Sequence, residues 1–334
     1  MSNLATDDAV IAAATSGDER AFGTLAQRYR RELHVHCYRM LGNFEDAEDV
    51  VQETLVRAWQ ARDGFAGTGF RAWLYKIATN ASLDTIRRKQ RQVPKADSFA
   101  EVPWLQPYPD RLLDLAAPPD AEPDAMVVAR ETIQLAFLTA IQLLPAQQRA
   151  ILILRDVLDW SAKQTAELLD TTVAGVNSAL QRARATLRDK APARDEHETG
   201  EPTEVERTLL ARYIDAHQRS DESGLTEILR DDIRITMPPH PFRYDGIPSL
   251  APLFENFRAH GDWLLVPTRA NRHLAAANYL RAPGDDTFRA FKIDVLRFRE
   301  TKVAEITTFD KTLFDAFGLP QTMAKTMEPT MEEP

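Results

Sequence analysis

Two helical segments constrain the fold of this chain more than any other feature of its sequence. In the first, Asp46–Trp59, apolar residues recur three or four positions apart; they are Ala47, Val51, Leu55, Ala58 and Trp59. This spacing predicts one buried stripe on an amphipathic helix. The second segment, Pro145–Arg188, predicts three further helices separated by short polar breaks. The N-terminal part of the chain is therefore predicted to be all-α.

Length and composition limit the kinds of protein this chain can be. Its 334 residues suffice for two or three domains with their own cores. Cys37 is the only cysteine, which excludes a disulfide framework and a cysteine-based metal site and suits a reducing compartment. The sequence has no apolar run of about 18 residues and no signal-peptide pattern. We therefore expect a soluble cytoplasmic protein that contacts no membrane.

The net charge of −9 conceals a basic segment. Residues 71–95 contain seven lysines and arginines and a single acidic residue, Asp84. Attraction to phosphate depends on such local basic stretches rather than on the total charge. The acidic balance of the whole chain is thus no argument against binding to nucleic acid.

Shifts in composition divide the chain into six segments, which are 1–92, 93–127, 128–190, 191–203, 204–320 and 321–334. The first and third have helical periodicity. The second is rich in proline and acidic residues and is predicted to be an extended linker, and the fourth is a short charged linker. The fifth has two helices, a strand, another helix, three or four β-rich runs and a last helix near 311–317, so it is predicted to be α+β. The sixth is expected to be a disordered tail.

The polar side of the Asp46–Trp59 helix leaves two interpretations open. Asp46, Asp49, Gln52 and Glu53 lie largely opposite the apolar stripe, and carboxylates also stabilise a helix N-terminus. The simpler interpretation is a solvated face on a core helix. The other is a surface that docks on a partner protein, and the segment that follows favours it.

That next segment, Phe70–Arg91, interleaves aromatic and basic residues. The aromatic residues are Phe70, Trp73 and Tyr75, and the cations are Arg71, Lys76, Arg87, Arg88, Lys89 and Arg91. Rings of this kind stack on unpaired bases while cations hold the phosphate backbone. Some aromatic residues must also serve the core, and Trp73 is predicted to do so together with Leu74.

Residues 145–188 have the pattern of a helix-turn-helix. Ser161 is a good N-cap for a helix over 162–169, with Gln164 at the capping-box position. A turn at 170–172 leads into a helix over 173–187, with an inner stripe predicted at Val173, Val176, Leu180, Ala183 and Leu187. Its outward residues are Ala174, Ser178, Gln181, Arg182 and Ala185, with Arg184 and Arg188 at the flank. This face suits the major groove of DNA, although a plain helical hairpin has the same outline.

At these residues the sequence resembles the sigma-70 family, and within it the small extracytoplasmic-function (ECF) subgroup. DAEDVVQETLVRAW is similar to region 2.2 of that family. FRAWLYKIATNASLD with its basic run is similar to regions 2.3 and 2.4, and the helix-turn-helix is similar to region 4. The resemblance implies a transcription initiation factor with region 2 in 1–92 and region 4 in 128–190. One departure is Asp170, where the family often has glycine, and there we expect a strained left-handed turn.

The resemblance also implies partners for three sets of residues. Asp46, Asp49, Gln52 and Glu53 would dock on the β′ clamp helices of core RNA polymerase, and region 4 on the β flap. The residues implied to melt and read the −10 promoter element are Phe70, Trp73, Tyr75, Lys76, Asn80, Arg87, Arg88 and Lys89. Those implied to read the −35 element are Thr172, Ser178, Gln181, Arg182, Arg184 and Arg188. The amide of Asn80 can both donate to and accept from an exposed base edge.

The segment 204–320 resembles the SnoaL-like, ketosteroid-isomerase-like cone. The resemblance rests on the order of its elements, on FRYDGI at 242–247 and on EITTFDKTLFDAFGLP at 305–320. A curved sheet over helices commonly leaves a pocket, and its predicted lining residues are Met237, Trp263, Tyr279, Phe291 and Asp294. The resemblance implies a fused regulator, with a small ligand as an open alternative.

Some relatives of this cone are enzymes that use Asp or His as a general base. The candidates in this chain are His217, His240, Asp294 and Asp310, but none has a nucleophile–base or metal-ligand spacing, and a fold alone confers no activity. We therefore expect no catalytic residue, no metal and no cofactor.

Two other functions are compatible with parts of the sequence. A stand-alone helix-turn-helix regulator, usually a dimer on two half-sites, has no use for residues 46–91. An enzyme with a transcription-factor-like arm would need turnover in 204–320. The favoured prediction is a specificity subunit that directs RNA polymerase to −10 and −35 promoter elements and is modulated by its fused C-terminal domain.

Overall fold

The computed structural model of the chain describes residues 2–65, 69–89, 102–114, 133–190 and 201–324. These residues fall into two compact units. The helical unit comprises Met1–Phe99 and Leu112–Pro192, and the mixed unit comprises Ala100–Arg111 and Ala193–Pro334. Most of the predicted linker at 191–203 and of the predicted tail at 321–334 lies outside the described residues. Within the described ranges, no helix is both long and apolar enough to span a bilayer.

Four helices form the first half of the helical unit: α1 (Ser2–Thr15), α2 (Glu19–Leu41), α3 (Phe44–Gln60) and α4 (Phe70–Arg88). Gly42 ends α2 in the left-handed conformation, at a φ of 66°, and its N–H donates to the Tyr38 carbonyl. Asn43 then caps α3 by accepting the N–H of Asp46. Glycine takes the left-handed conformation at little cost, so a two-residue corner is enough to join α2 and α3.

Helices α2–α4 share a core that contains a histidine. His36 is fully buried, and its Nε2 lies 2.9 Å from Oγ1 of Thr79 on α4. Burial, together with the charges of Arg39 and Arg71, lowers the pKa of His36 to about 3. The imidazole is therefore neutral near pH 7 and serves as a hydrogen-bonded part of the core.

The second half of the helical unit contains the predicted helix-turn-helix. A short helix α5 (Asp110–Asp114) spans the point in the chain where the mixed-unit segment ends and the helical unit resumes. The elements that follow are α6 (Leu135–Gln142), α7 (Ala146–Leu152), a π-helical turn (Ile153–Val157), α8 (Ala162–Leu168) and α9 (Val173–Lys190). The predicted capping box between Ser161 and Gln164 is confirmed. Asp170 has a φ of 49°, so the expected left-handed turn is also present.

A buried arginine joins the two halves of the helical unit. Arg149 on α7 is 2% exposed, and its Nη1 donates to the Met40 carbonyl near the end of α2 at 2.5 Å. Its Nη2 donates to the carbonyls of Gln142 and Leu144 at 2.8 and 3.2 Å. The Gln142 side chain in turn donates to the Arg39 carbonyl at 3.3 Å. Carbonyls at the ends of helices have no partner within their own helix, and this network supplies one.

The mixed unit packs three helices against one sheet. The helices are α10 (Glu204–Gln218), α11 (Glu222–Ile228) and α12 (Ala251–Ala259). The strands are β1 (Leu229–Thr236), β2 (Arg243–Asp245), β3 (Asp262–Ala270), β4 (His273–Arg281), β5 (Thr287–Arg299), β6 (Lys302–Asp310) and β7 (Thr322–Ala324). Their order is β2-β1-β6-β5-β4-β3, with β7 on β5; β1 and β6 are parallel and the other pairs antiparallel. The core lies between helices and sheet, which confirms the α+β class.

Two predictions at the C-terminal end of the mixed unit are wrong. The helix expected near 311–317 is only a 3-10 turn, Lys311–Leu313, and β7 lies within the segment expected to be disordered. β7 pairs with Thr287–Arg289, the first residues of β5, whereas β6 pairs only from Lys292 onward. Because backbone groups in a sheet need partners, β7 completes β5 where β6 does not reach.

Residues 102–111, which we call the clip, pack on the mixed unit and fall within the predicted linker 93–127. The N–H of Tyr108 donates to Oδ1 of Asn271 at 2.7 Å, and the N–H of Asn271 donates to the Tyr108 carbonyl at 2.9 Å. Asp110 accepts the N–H of Arg272 at 2.8 Å, and Nε of Arg111 donates to the Ala316 carbonyl at 2.8 Å. This part of the predicted linker is therefore packed, with Val102, Leu105 and Tyr108 buried.

We predict that Arg149→Met lowers the free energy of unfolding of the helical unit by about 3 kcal/mol, because several buried carbonyls lose their donor. Denaturant unfolding followed by circular dichroism measures this loss. Arg87→Met, which removes a largely exposed arginine of the same unit, should leave the transition unchanged. An unaltered midpoint for Arg149→Met would contradict the role given to this guanidinium.

Candidate functional site

The outer face of α3 carries an exposed stripe with spacings of three and four: Glu45, Asp49, Gln52, Val56 and Gln60. Asp49 and Gln52 were predicted to dock on a partner, and the structure places both on this stripe. Val56 was missed by the sequence analysis, although its side chain is 54% exposed. A polar rim around an apolar residue is typical of protein interfaces, so the stripe has the composition of a docking surface.

Asp46 and Glu53, also predicted for this surface, form ion pairs within the helical unit. Asp46 is buried and pairs with Lys89 at the end of α4. Glu53 pairs with Arg57 one turn further along α3. Asp46 lies in the first turn of α3 on the side that faces α4. It therefore makes an internal contact and is not part of the exposed docking surface for which it was predicted. The same pair engages Lys89, which was predicted to contact DNA.

Two of the three aromatic residues predicted to face DNA on α4 are core residues. Phe70 and Tyr75 are 4% and 2% exposed. The ring centroid of Phe70 lies 5.5 Å from those of Phe65 and Trp73. Trp73, which was predicted to be in the core, is only half-buried. The buried face of α4 is broad and includes Leu74 as predicted, and Trp73 lies at its edge.

The accessible face of α4 collects four of the predicted −10 residues. Trp73, Lys76, Asn80 and Arg87 are three, four and seven positions apart, which places them on one side of the helix. Arg87 is largely exposed, with Asp84 at 2.9 Å, and Arg88 is exposed next to it. A half-buried ring, an amide and cations therefore share one surface.

Helix α9 presents a polar face to solvent. Of the predicted −35 residues, Thr172, Ser178, Gln181, Arg182 and Arg188 are exposed. Thr172 also caps α9, since its hydroxyl accepts the N–H of Gly175 at 3.0 Å. Asn177 is exposed on the same face and was not predicted. Val173, expected in the inner stripe, is 44% exposed because it occupies the first turn of α9.

Arg184, the sixth predicted −35 residue, is held within the helical unit. Its Nε and Nη2 donate to the two carboxylate oxygens of Asp156 at 2.9 and 2.7 Å. Such a bidentate pair fixes the plane of the guanidinium. Arg184 therefore braces α9 against the π-helical turn; its side chain is still 56% exposed, and its contact with DNA stays a prediction.

Within the helical unit, the helix-turn-helix contacts α4. The ring centroids of Tyr75 and Trp160 are 5.7 Å apart. Nζ of Lys76 lies 3.5 Å from Oδ1 of Asp170 and 3.4 Å from the Glu167 carbonyl. Lys76, predicted to contact DNA, is thus engaged at the turn between α8 and α9. Helical periodicity cannot reveal this contact because its residues are 91 and 94 positions apart.

The mixed unit contains a cavity of about 360 Å³, partly open to solvent, between its helices and its sheet. Four of the five residues predicted to line a pocket do line it: Met237, Trp263, Phe291 and Asp294. Tyr279 does not, because successive residues of a strand face opposite sides of the sheet. Its neighbour Asn278 reaches Asp294, whereas the ring of Tyr279 packs against Phe314 with centroids 5.2 Å apart.

Asp294 forms the polar end of this cavity. Its carboxylate accepts from the Tyr213 hydroxyl, Nδ2 of Asn278 and Nζ of Lys292, each at 2.9 Å, and from the Thr308 hydroxyl at 2.7 Å. Burial raises the pKa of Asp294, but attraction to Lys292 and the hydrogen bonds from Thr308 and Lys292 outweigh it and hold the pKa below its usual range. An ionised carboxylate with four donors is a poor general base.

The other three residues considered as general bases, His217, His240 and Asp310, also line the cavity. Burial lowers the pKa of His217 well below its usual value, so its imidazole is neutral near pH 7. Throughout the described ranges, no group of three or more His, Cys, Asp or Glu side chains has a geometry that could hold a metal ion.

Comparison with known proteins identifies the helical unit. Residues 25–92 match the family Sigma-70 region 2, and residues 134–187 match Sigma-70, region 4. The chain is 38% identical over 340 residues to the ECF RNA polymerase sigma factor SigG of Mycobacterium tuberculosis, covering 95% of this chain and 90% of that protein. This chain belongs to the ECF RNA polymerase sigma factors. It is also 34% identical over 176 residues to SigW of Bacillus subtilis, covering 52% of this chain and 89% of that protein.

A solved structure shares the fold of this sigma factor. The ECF sigma factor SigJ of Mycobacterium tuberculosis matches it with a TM-score of 0.58 at 19% identity, over 90% of this chain and 99% of that one. At this identity the likeness shows the fold alone. The shared fold extends beyond region 4, and the C-terminal mixed unit is SnoaL-like in its order of helices and strands.

The matched ranges place the internal contacts of this sigma factor between two of its regions. Helices α3 and α4 lie in region 2, and α6–α9 lie in region 4. The hydrogen bonds of Arg149 and the contacts of Trp160 and Asp170 therefore join region 4 to region 2.

We predict that Asp46→Asn and Asp49→Asn have different effects on stability. Asp46→Asn should lower the free energy of unfolding by about 1–2 kcal/mol, since it weakens a buried charge-assisted contact. Asp49→Asn, at an exposed position on the same helix, should have no measurable effect. Denaturant unfolding of the two variants decides this, and equal destabilisation by both would contradict the burial of Asp46.

Proposed function

We propose that this sigma factor directs core RNA polymerase to promoters with a −10 and a −35 element, and that its SnoaL-like domain modulates this activity through the clip and a small ligand. Two separate exposed polar faces support the proposed contact with two promoter elements: one on α4 in region 2 and one on α9 in region 4. Two reading surfaces on one chain suit a protein that contacts a promoter at two separated sites.

The stripe on α3 is the proposed docking surface for the β′ clamp helices of the polymerase, with the β flap as the partner of region 4. Asp49 and Gln52 remain the candidates for polar contacts, and Val56 is added as an apolar contact at the centre of the stripe. Asp46 contributes indirectly, because its pair with Lys89 fixes the start of α3 relative to the end of α4.

The accessible face of α4 is proposed to bind the −10 element. Trp73 can stack on an unpaired base, Asn80 can read a base edge, and Arg87 and Arg88 can hold the backbone. Lys76 would join them after leaving Asp170. That pair is a 3.5 Å contact between side chains that are 41% and 80% exposed, so separating it costs little free energy.

The exposed face of α9 is proposed to enter the major groove at the −35 element. Ser178 and Gln181 lie at its centre, with Asn177 and Arg182 beside them. Gln and Arg can each make two hydrogen bonds to a single base edge, which is the basis of direct readout. Arg188 and the cap at Thr172 are positioned for the phosphate backbone.

The clip offers a physical route for modulation by the SnoaL-like domain. Region 2 ends at α4 and region 4 begins near α6, so the clip lies in the chain that joins them. With the clip bound, about 14 residues separate α4 from the packed segment, which span at most about 50 Å when extended. The chain from 111 to 133 can span about 75 Å more, so release of the clip lengthens the connection between α4 and α6 by at most the extended length of the clip, about 35 Å. The domain can therefore restrict the separation at which regions 2 and 4 contact DNA.

A catalytic role for the SnoaL-like domain is not favoured by its geometry. The one fully buried carboxylate that lines the cavity, Asp294, is held ionised by four donors. A carboxylate whose charge is stabilised by four hydrogen-bond donors is a weak base. Binding without turnover is the function that this arrangement supports.

We predict that replacing Gln181 and Arg182 with Ala abolishes −35 discrimination and leaves polymerase binding intact. Discrimination between a promoter selected from a library randomised at −35 and its scrambled counterpart should fall by at least about 10-fold, since each lost bidentate contact is worth about 1–3 kcal/mol. In vitro transcription with core enzyme measures it. Arg207→Ala, at an exposed arginine of α10, is the control. Equal loss of polymerase binding in the double variant would mean that α9 is misassigned.

We predict that Asn271→Gly releases the clip and changes transcription output without changing promoter choice. Glycine keeps the left-handed backbone of Asn271, whose φ is 54°, but removes the oxygen that accepts the N–H of Tyr108. Glu300→Gly is a matched control, since Glu300 is another left-handed residue, with a φ of 57°, and is exposed. Accelerated proteolysis at 102–111 would report release. A variant that selects different promoters would contradict the proposal.

A further inference from the structure

The cavity of the SnoaL-like domain has a strongly apolar wall. Leucine, isoleucine and aromatic side chains from α10–α12 and from β1, β3, β5 and β6 form most of it; the largest are Trp263, Tyr213, Phe254, Phe291 and Phe309. Its volume of about 360 Å³ lies at the lower end of the range for small-molecule pockets, about 300–1,000 Å³. Walls of this kind bind a compact apolar body and discriminate against a flexible polar one.

Lys292 is the hydrogen-bond donor best placed for an occupant of this cavity. Its Nζ lies 2.9 Å from Asp294 and 5.9 Å from the ring centroid of Trp263. An ammonium group carries three N–H donors, so the bond to Asp294 leaves donor capacity for an acceptor in the cavity. Asp294 already accepts four hydrogen bonds, three on Oδ2 and one on Oδ1, so it is an acceptor and cannot donate to a carbonyl.

The charges at the polar end of the cavity favour an uncharged occupant. Lys292 and Asp294 form an ion pair, and the neighbouring His217 is neutral. Asp310, opposite Lys292 in the register of β5 and β6, also lines the cavity but is exposed to solvent, which screens its charge. A carboxylate placed against Lys292 would leave one uncompensated negative charge in an apolar enclosure beside Asp294. A cation would meet Lys292 directly. Either charge has to be desolvated without an adequate partner, which costs several kcal/mol in proteins.

We propose that this cavity binds an uncharged, compact, largely apolar molecule with a carbonyl oxygen that accepts a hydrogen bond from Nζ of Lys292. The apolar body fills the space between Trp263, Phe254 and Phe291, and the carbonyl lies at the end occupied by Lys292 and Asp294. This inference rests on the proposed ligand-dependent modulation, and it deepens that proposal by naming the chemistry of the ligand.

The test uses the full-length protein and three probes with one aromatic skeleton: 2-acetylnaphthalene, 2-naphthoate and 1-(2-naphthyl)ethylamine. At pH 7 they are neutral, anionic and cationic. Isothermal titration calorimetry should give a dissociation constant on the order of 10–100 µM for the ketone, as expected for a ligand of this size. The anion and the cation should bind at least about 10-fold more weakly.

Substitutions at Lys292 test the hydrogen bond. The double variant Lys292→Met, Asp294→Asn removes both charges together and so leaves no buried unpaired ion. It should bind the ketone at least about 10-fold more weakly. Lys292→Arg retains a charged donor and should keep the affinity within about threefold. Tyr279→Phe is the control, since Tyr279 is a buried tyrosine of the same domain that does not line the cavity. Thermal unfolding confirms that each variant is folded.

The possible results of these measurements test three separate parts of the proposal: the charge of the ligand, the role of Lys292 and the existence of the site. Equal or tighter binding of 2-naphthoate would overturn the uncharged class while leaving a ligand site in place. Ketone affinity unchanged in the folded double variant would overturn the role of Lys292. Failure of all three probes to bind would overturn the site itself. Promoter-dependent transcription is measured without any probe, so none of these results affects the proposed sigma activity.

Discussion

Region 4 of this sigma factor is held to region 2 by one buried guanidinium. Arg149 donates to carbonyls at the ends of α2 and α6, in a place that water does not reach. Those carbonyls would otherwise be buried without a partner, which is costly. The position of the helix-turn-helix relative to α4 therefore depends on this residue more than on any surface ion pair.

The contact between regions 2 and 4 has a rigid centre and a weak rim. At the centre are the hydrogen bonds of Arg149 and Gln142, and at the rim are the exposed pair of Lys76 with Asp170 and the ring contact of Tyr75 with Trp160. Exposed pairs contribute little to stability. A partner that competes for Lys76 would therefore separate the rim at little cost, while the hydrogen bonds of Arg149 and Gln142 keep the centre together.

The helical unit could be predicted largely from sequence because its signals are local. The capping box at Ser161, the left-handed Asp170 and the exposed Gln181 and Arg182 all follow from spacing within one turn or one helix. The spacing of residues along a helix could not show how deeply each side chain is buried. Phe70 and Asp46 have the residue types of an interface, but both face neighbouring helices, and only their tertiary position shows it.

In the mixed unit, the contacts that could not be predicted from the sequence are those between residues far apart in the chain. Nothing in the residues around Tyr108 predicts that its N–H meets Asn271, 163 positions later. The network on Asp294 likewise unites α10 with β4, β5 and β6. Strand alternation separates Asn278 from Tyr279 on β4, but it does not show which of the two faces the helices, and only the packed structure decides that.

The clip also shields a sheet edge. β3 is the last strand in the order of the sheet, and Pro109 pairs with Ala270 at its end. When the edge strand of a sheet is exposed, its unpaired backbone N–H and C=O groups can pair with a strand from another molecule. Release of the clip would therefore uncover backbone groups at one end of this edge, where a strand from another molecule could pair.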